Sequence, residues 1–430
     1  MTTPNVLIIA EAANPEWVSV PLVGWSLATA LQRKTGGHIV TQVRNRDAFL
    51  RAGMREGEDF TAIDSEAVAK PFHDLSNLIR GGEGKGWTTN TAIATLSYFY
   101  FEHLVWKQFG DAIKSGTYDI IHRVTPLSPT SVSFIAPKIA KAGAKFIMGP
   151  INGGIPWPKG FDAERRREKE WLSYVRNAYK AMPGRAGMLK AASAIIAGSH
   201  HTRSEYPQNA QDKCFYIPEN AIDPERFSLH RTGEITGDSP VRACFIGRMV
   251  PYKGPDMLIE AAAPILRHGI LHLDMIGDGP LMPELKAMAE REGVTDAITF
   301  HGWQDHKKVQ EIAVKSSLLT FPSVREFGGG VVLEAMALGV VPLIVDYGGP
   351  GELLVEGTGF KVPLGTREEI IAQFGATLSA LVSDPGALPA IGDAARTRVM
   401  DKLTWDKKAD QVLDIYDWAL GERTDKPAAF

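Results

Sequence analysis

The chain has 430 residues, 44% of them hydrophobic and 23% charged, which suffices for two ordinary domains, each with its own core. Its formal net charge of −3 provides no global basic field, so the composition argues against nucleic acid as a partner. Cys214 and Cys244 are too few, and too strand-like in context, for a disulfide framework or a thiolate metal site; a reducing cytoplasm is the expected compartment.

Residues 1–4 lead into the apolar run Val6 to Ala10 without a basic n-region, so this start reads as a first strand and not as a signal peptide. No stretch of uncharged apolar residues reaches the length of a membrane span. Further strands are predicted at 38–43, 119–122, 145–148 and 194–197, with helices at 21–34 and 130–142. The aromatic run Tyr98 to Phe101 falls in another helix. After the polar, glycine-containing stretch 231–240, which reads as a linker or exposed loop, the scheme repeats. Strands are predicted at 241–246, 271–276, 297–300, 318–321 and 340–345, and helices at 254–267, 281–292, 305–315 and 330–338. Such alternation predicts an α/β protein of two doubly wound Rossmann-like domains. Ligands gather beyond the carboxyl ends of parallel strands, so two domains facing across a cleft would share one site.

Two motifs carry the chemistry. Glu326 and Glu334 stand eight positions apart around Gly328-Gly329-Gly330, before a helix-forming run. Glycines that open a helix let backbone N–H groups approach an anion, and the carboxylates can accept from hydroxyls, which together suit a nucleotide sugar. Glu334 could instead serve only the helix dipole. Upstream, Gly247-Arg248 and Lys253-Gly254 place two cations five residues apart in a loop that follows a strand. Two fixed cations can stabilise the charge that develops on a departing diphosphate.

This pair of motifs resembles the retaining family-4 glycosyltransferases of the GT-B fold. The resemblance extends to Tyr216-Ile217-Pro218-Glu219-Asn220, Ile276-Gly277-Asp278-Gly279-Pro280, Phe300-His301-Gly302-Trp303, Gly348-Gly349 with Glu352, and Leu403-Thr404-Trp405-Asp406. It implies an acceptor-side domain over 1–222, a nucleotide-sugar domain over 223–404, and a final helix in 405–430 that crosses back onto the first domain. By the same resemblance Arg248 and Lys253 hold the donor diphosphate, Glu334 accepts the ribose hydroxyls, Glu326 positions the sugar, and the backbone of Phe327, Gly328, Gly329 and Gly330 lines the pocket. The transferred sugar keeps its configuration by a front-face reaction. A glycan, a lipid-linked molecule or a small molecule would be the acceptor. Nucleotide-sugar epimerases, phosphorylases and inactive binding proteins share the fold and are the alternatives.

Other features are secondary. Gly277 opens a tight turn that lacks the dinucleotide spacing, with room for nucleotide contact, and Gly302-Trp303 either flanks the base or buries the indole. No Asp-x-Asp occurs, so neither a metal nor a cofactor is expected; His200-His201 reads as a helix start after Ser199. The first domain departs from the family pattern. Residues 11–21 lack the usual glycine pair, and Val124 replaces the second histidine of a His-x-His, leaving His122 to contact the sugar or acceptor, or to be satisfied at a strand end. Glu11, Trp17 and Ser19 are acceptor-side candidates. Asn152, Gly153 and Gly154 can approach a sugar and Trp157 offers a stacking face, in a loop rich in glycine and proline whose alternative role is a rigid interdomain connection. The basic segment 161–184 carries Arg165-Arg166-Arg167, Lys169, Arg176 and Lys180 among Trp171, Tyr174 and Tyr179. It reads as a solvated, ion-paired helix, with peripheral contact at the inner membrane face as the alternative.

Overall fold

The computed structural model describes residues 3–67, 87–168, 179–231, 239–428 and 430. The aromatic and basic residues of 169–178, and most of the linker in 231–240, lie outside the described residues. The chain divides into two compact units, one comprising 1–154, 169–219 and 405–430, the other 155–168 and 220–404. Among the described residues no helix is long and apolar enough to cross a membrane.

The first unit is built on seven parallel strands: β1 Val6–Ala10, β2 His38–Gln42, β3 Phe60–Ile63, β4 Ile120–Thr125, β5 Lys145–Ile151, β6 Ala192–Ala197 and β7 Cys214–Tyr216. Their order is β3-β2-β1-β4-β5-β6-β7. Continuous apolar runs such as Val6–Ala10 are buried along their whole length, as strands covered by helices on both faces must be. The second unit has six: β8 Val241–Ile246, β9 Leu271–Ile276, β10 Ile298–Gly302, β11 Leu318–Phe321, β12 Val341–Val345 and β13 Phe360–Val362, in the order β10-β9-β8-β11-β12-β13. Both sheets are parallel throughout their named pairings.

The helix expected over 130–142 is shorter, Ala136–Lys141. Residues 131–135 are held in another conformation by side chains from elsewhere: buried Arg123 donates to the Ser131 carbonyl at 2.8 Å, and buried Glu102 accepts from Phe134 N–H at 2.7 Å. Ser133 Oγ then accepts from Ala136 N–H at 3.1 Å and starts the helix.

The terminal helix Trp405–Leu420 belongs to the first unit. Trp405, Lys408, Ala409, Val412, Ile415 and Tyr416 are buried, a stripe with the three- and four-residue spacing of one helix face. Lys408 donates to the Glu219 carbonyl at 2.7 Å and to that of Pro218, over the ring of Trp405 at 4.8 Å; burial lowers its pKa to about 7. Tyr416 reaches His122 on β4, whose Nδ1 lies 2.7 Å from the phenol oxygen, while Nε2 lies 2.8 Å from the Gly149 carbonyl oxygen. The carbonyl can only accept, so Nε2 carries the proton and Tyr416 O–H donates to Nδ1.

His122 is 0% exposed, and both its nitrogens are engaged inside the first unit. Its geometry is that of a satisfied strand-end histidine, not of a residue presented to sugar or acceptor. Burial lowers its pKa from 6.5 to about 4. The unfolded chain therefore takes up this proton first, and the contribution to stability is lost as pH falls from about 6.5 towards 4, by about 3 kcal/mol in all. Urea unfolding across that range should show the decline. At pH 7 the Tyr416→Phe chain, which leaves Nδ1 without a donor, should be less stable by about 1–2 kcal/mol.

Candidate active site

In the second unit the strand order reverses between β8 and β11, which are neighbours in the sheet. A crevice outside the carboxyl ends of such a pair is where open α/β sheets bind ligands. The two loops leaving these strands carry the predicted cations and carboxylates.

After β8 the chain passes Gly247 and the exposed Arg248 into a short 3-10 turn, Pro251–Lys253, closed by Gly254 at φ 68°. Lys253 Nζ meets Glu326 Oε2 at 2.6 Å, and the two side chains are only 16% and 22% exposed. Burial pulls the ammonium down, but the Glu326 carboxylate outweighs it, so the Lys253 pKa is raised overall. Arg248 lies close enough to oppose that rise, which puts both cations in one electrostatic neighbourhood. The Lys253 ammonium also lies over Phe321, 5.1 Å from its centroid.

The Glu326 loop is fixed from several sides. Val324 N–H donates to the Tyr252 carbonyl at 2.9 Å and Ser323 Oγ to the same oxygen at 3.2 Å, tying one loop to the other. The Arg325 guanidinium lies over Trp157 at 5.0 Å and Phe327 at 5.1 Å. Gly349 N–H donates to the Glu326 carbonyl at 3.1 Å. A Cβ at Gly348 or Gly349 would overlap the carbonyl oxygens of Glu326 or Phe327 respectively. These glycines let the helix Gly348–Leu353 approach the loop backbone.

The glycine triplet divides in purpose. Gly329 has φ 62°, and a Cβ there would stand 3.0 Å from Pro350 N and 2.9 Å from Leu353 Cδ1, so packing alone requires it. At Gly330, the first residue of the helix Gly330–Ala337, a Cβ would make ordinary van der Waals contact with the Asn220 side chain, 3.5 Å from Nδ2, so packing does not require the glycine. Glu334 sits on this helix, half-buried. Burial raises its pKa to about 7, partly opposed by Arg226. His306 Nε2 is 3.8 Å from Glu334 Oε1. Nothing in the sequence pointed to His306, because it and Glu334 stand 28 positions apart on different helices and meet only in the folded unit.

Gly277 and Gly247 meet each other: a Cβ on Gly277 would overlap the Gly247 carbonyl, so that turn is shaped by loop packing. Gly302, at φ 66°, has open space where a Cβ would be, and Trp303 beside it is 75% exposed, which rules out the buried indole.

The remaining candidates belong to other segments of the chain. Trp157 uses its ring on Arg325 and, edge to face, on Tyr252 at 6.2 Å, so it is a support of the Glu326 loop and not an open stacking face. Asn152, in the first unit, is buried; its Oδ1 accepts from Ser199 Oγ at 2.8 Å and Gly153 N–H at 2.9 Å, and its Nδ2 donates to Glu219 at 2.5 Å. It shapes its loop. Ser199 caps the helix His200–Ser204, and His201 Nε2 lies 3.0 Å from the Gly154 carbonyl oxygen. Glu11 follows β1 beside the first unit's own strand reversal, with its pKa raised by burial. Trp17 is 45% exposed, and Ser19, at φ 64°, is the one non-glycine residue with positive φ among the described residues. Strain and exposure of this kind keep the loop after β1 a candidate ligand surface.

Residues 230–396 match the family described as glycosyl transferases group 1. The D-inositol 3-phosphate glycosyltransferase of Gordonia bronchialis is 30% identical over 186 residues, 41% of this chain and 40% of that protein. The alpha-maltose-1-phosphate synthase of Mycobacterium tuberculosis is 30% identical over 251 residues, 53% of this chain and 63% of that protein. The chain thus spans less than two thirds of either relative. A crystal structure of a glycosyltransferase from Rickettsia africae superposes with a TM-score of 0.64 at 15% identity, covering 98% of this chain and 100% of the other, which establishes a shared fold.

Because Gly277 abuts the Gly247 backbone at φ 131°, Gly277→Ala should displace the loop that carries Arg248 and Lys253. The expected loss of stability is about 2–4 kcal/mol, measurable by denaturant unfolding.

Proposed function

Because the chain belongs to the family-4 glycosyltransferases of the GT-B fold, we propose that it transfers a sugar from a nucleotide-sugar donor to a hydroxyl of an acceptor, with retention at the anomeric carbon. The observation that carries the reading is the Lys253–Glu326 pair, held at the strand-order reversal of the second unit with Arg248 in the same electrostatic neighbourhood. A diphosphate is the ligand that two such cations favour, and Glu334 on the adjoining helix offers a carboxylate to ribose hydroxyls. Glu326, tied to Lys253, faces the sugar.

In this scheme the bond between the anomeric carbon and the phosphate oxygen breaks, and the nucleoside diphosphate leaves with the electron pair. The acceptor oxygen bonds to the same face of the sugar, and its proton passes to the departing phosphate. Lys253 and Arg248 stabilise the negative charge as it grows, which makes them more valuable in the transition state than in the ground state. Positive charge then comes from side chains, and no metal is required. Acceptor recognition falls to the first unit, where Glu11, Trp17 and Ser19 stand on the loop after β1. The acceptor class in this reading is a hydroxyl-bearing glycan, lipid-linked molecule or small molecule, and the reaction belongs to the cytoplasm.

A panel of UDP-, GDP- and ADP-sugars, assayed for donor hydrolysis and for transfer, tests the proposal. One donor should be consumed, the product should keep the donor's anomeric configuration by NMR, and excess chelator should leave the rate unchanged. Lys253→Ala should lower kcat by about 100- to 1,000-fold, in the range of a lost transition-state donor. If no nucleotide sugar binds, and Lys253→Ala and Glu326→Ala leave every activity as it was, the reading is wrong.

A further inference from the structure

Beside the ion pair lies a second group of charges, drawn from three separate segments. Glu334 comes from the helix Gly330–Ala337, His306 from the first position of the helix His306–Ala313, and Arg226 from the segment before β8. Asp305, the cap of the second helix, accepts from Lys308 N–H at 2.9 Å and is the other charge that acts on His306. The arrangement is held together: Gln310 Nε2 donates to the Arg226 carbonyl at 3.0 Å, and Phe227 meets the His306 ring edge to face at 6.0 Å.

The two nitrogens of His306 are not equivalent. Among the described residues Nδ1 is buried with no hydrogen-bond partner, whereas Nε2 lies 3.8 Å from Glu334 Oε1. A proton on Nδ1 would bury an unsatisfied N–H, and a doubly protonated ring would bury one carrying charge. The neutral tautomer with its proton on Nε2 avoids both, and it aims a donor at Glu334.

We propose that His306 is a positioning residue for the hydroxyl-binding carboxylate: its Nε2–H, 3.8 Å from Glu334 Oε1, closes to a hydrogen bond with that oxygen when the other takes the vicinal diol of a ribose. This rests on the nucleotide-sugar reading of the same site. A neutral donor suits the task, since it fixes the carboxylate without competing for the diphosphate as a cation would bind it. It also favours the ionised carboxylate. Burial drives Glu334 towards its protonated form near neutrality, pushes His306 the opposite way, and leaves Arg226 as the opposing charge. A protonated carboxyl has less capacity to accept from two hydroxyls, so nucleotide affinity falls as pH drops through about 7, the pKa of Glu334. Removing the His306 donor moves that fall to higher pH.

The test measures binding of UDP, GDP and ADP, and of their 2′-deoxy counterparts, by calorimetry between pH 6 and 9. The full-length protein should prefer the ribonucleotide by about tenfold, the worth of one good hydrogen bond. His306→Ala should lose most of that preference and shift the midpoint of the pH profile upward. His306→Gln, whose amide N–H can replace Nε2–H, should restore both, and Glu334→Gln, which cannot titrate, should flatten the profile. The inference fails if the protein binds a nucleoside diphosphate and Lys253→Ala weakens it, yet His306→Ala keeps the parent ribose preference and pH midpoint. If His306→Ala does not fold, a flat pH profile in the parent protein, or one that persists unchanged in Glu334→Gln, overturns it equally. No binding of any nucleoside diphosphate by the parent protein overturns the nucleotide-sugar reading itself, and this inference with it.

Discussion

The ion pair between Lys253 and Glu326 is the constraint on which the site depends. Parallel strands send their loops outward from one edge of the sheet, and at a reversal of strand order those loops part. The pair bridges the two that part there, one leaving β8 and the other β11. Both side chains are mostly removed from water, so either charge alone would be costly in that position, and each is the other's compensation. Around the pair the structure spends rigid contacts: two hydrogen bonds to the Tyr252 carbonyl, a guanidinium between two aromatic rings, and a helix brought against the loop by two glycines. A ligand anion that approaches Lys253 therefore meets a preformed cation, and little of the surrounding loop needs to be ordered on binding.

The two carboxylates of the opening motif live under different physics. Glu326 has a cation at 2.6 Å and stays in a paired environment. Glu334, eight residues on, has a histidine at 3.8 Å, and burial, partly opposed by Arg226, raises its pKa to about 7. Identical side chains at fixed spacing are thus divided into a charge partner and a near-neutral acceptor by what surrounds them. A carboxyl raised this far by burial is a mark of functional sites. Spacing in the sequence located both residues but could not distinguish these surroundings, because the difference comes from the Lys253 contact at Glu326 and the burial of Glu334.

Legibility in the sequence followed the range of the interactions. Buried parallel strands leave continuous apolar runs, and β1, β8, β9 and β11 have the bounds that those runs predict. The loop cations and the glycine-flanked carboxylates were legible for the same reason, since each motif is local and the strand before it sets its direction. The helix expected from residue 130 begins only at Ala136, because Arg123 and Glu102 override a local preference from a distance. Trp157 was read by its exposed chemistry, yet it packs on an arginine far along the chain. The glycines show the limit most clearly. Gly329 and Gly277 look like ligand-binding glycines in a motif, whereas their missing side chains are demanded by Pro350, Leu353 and Gly247.

His122 gives the same lesson a longer reach. A histidine at the carboxyl end of a strand is chemically eligible for a site, and nothing nearby in sequence would satisfy it. Its partner is Tyr416, 294 residues later, on a helix that follows residues 220–404 of the second unit in sequence and belongs to the first. The first unit is consequently discontinuous: the strand order that places the loop after β1 is completed by a helix whose buried face includes Lys408 and Tyr416. Each of those polar groups is matched inside the unit, one by the carbonyls of Pro218 and Glu219, the other by an imidazole. A purely apolar face could slide along its groove, while these bonds fix one register, since any shift would bury an ammonium or a ring nitrogen without its partner.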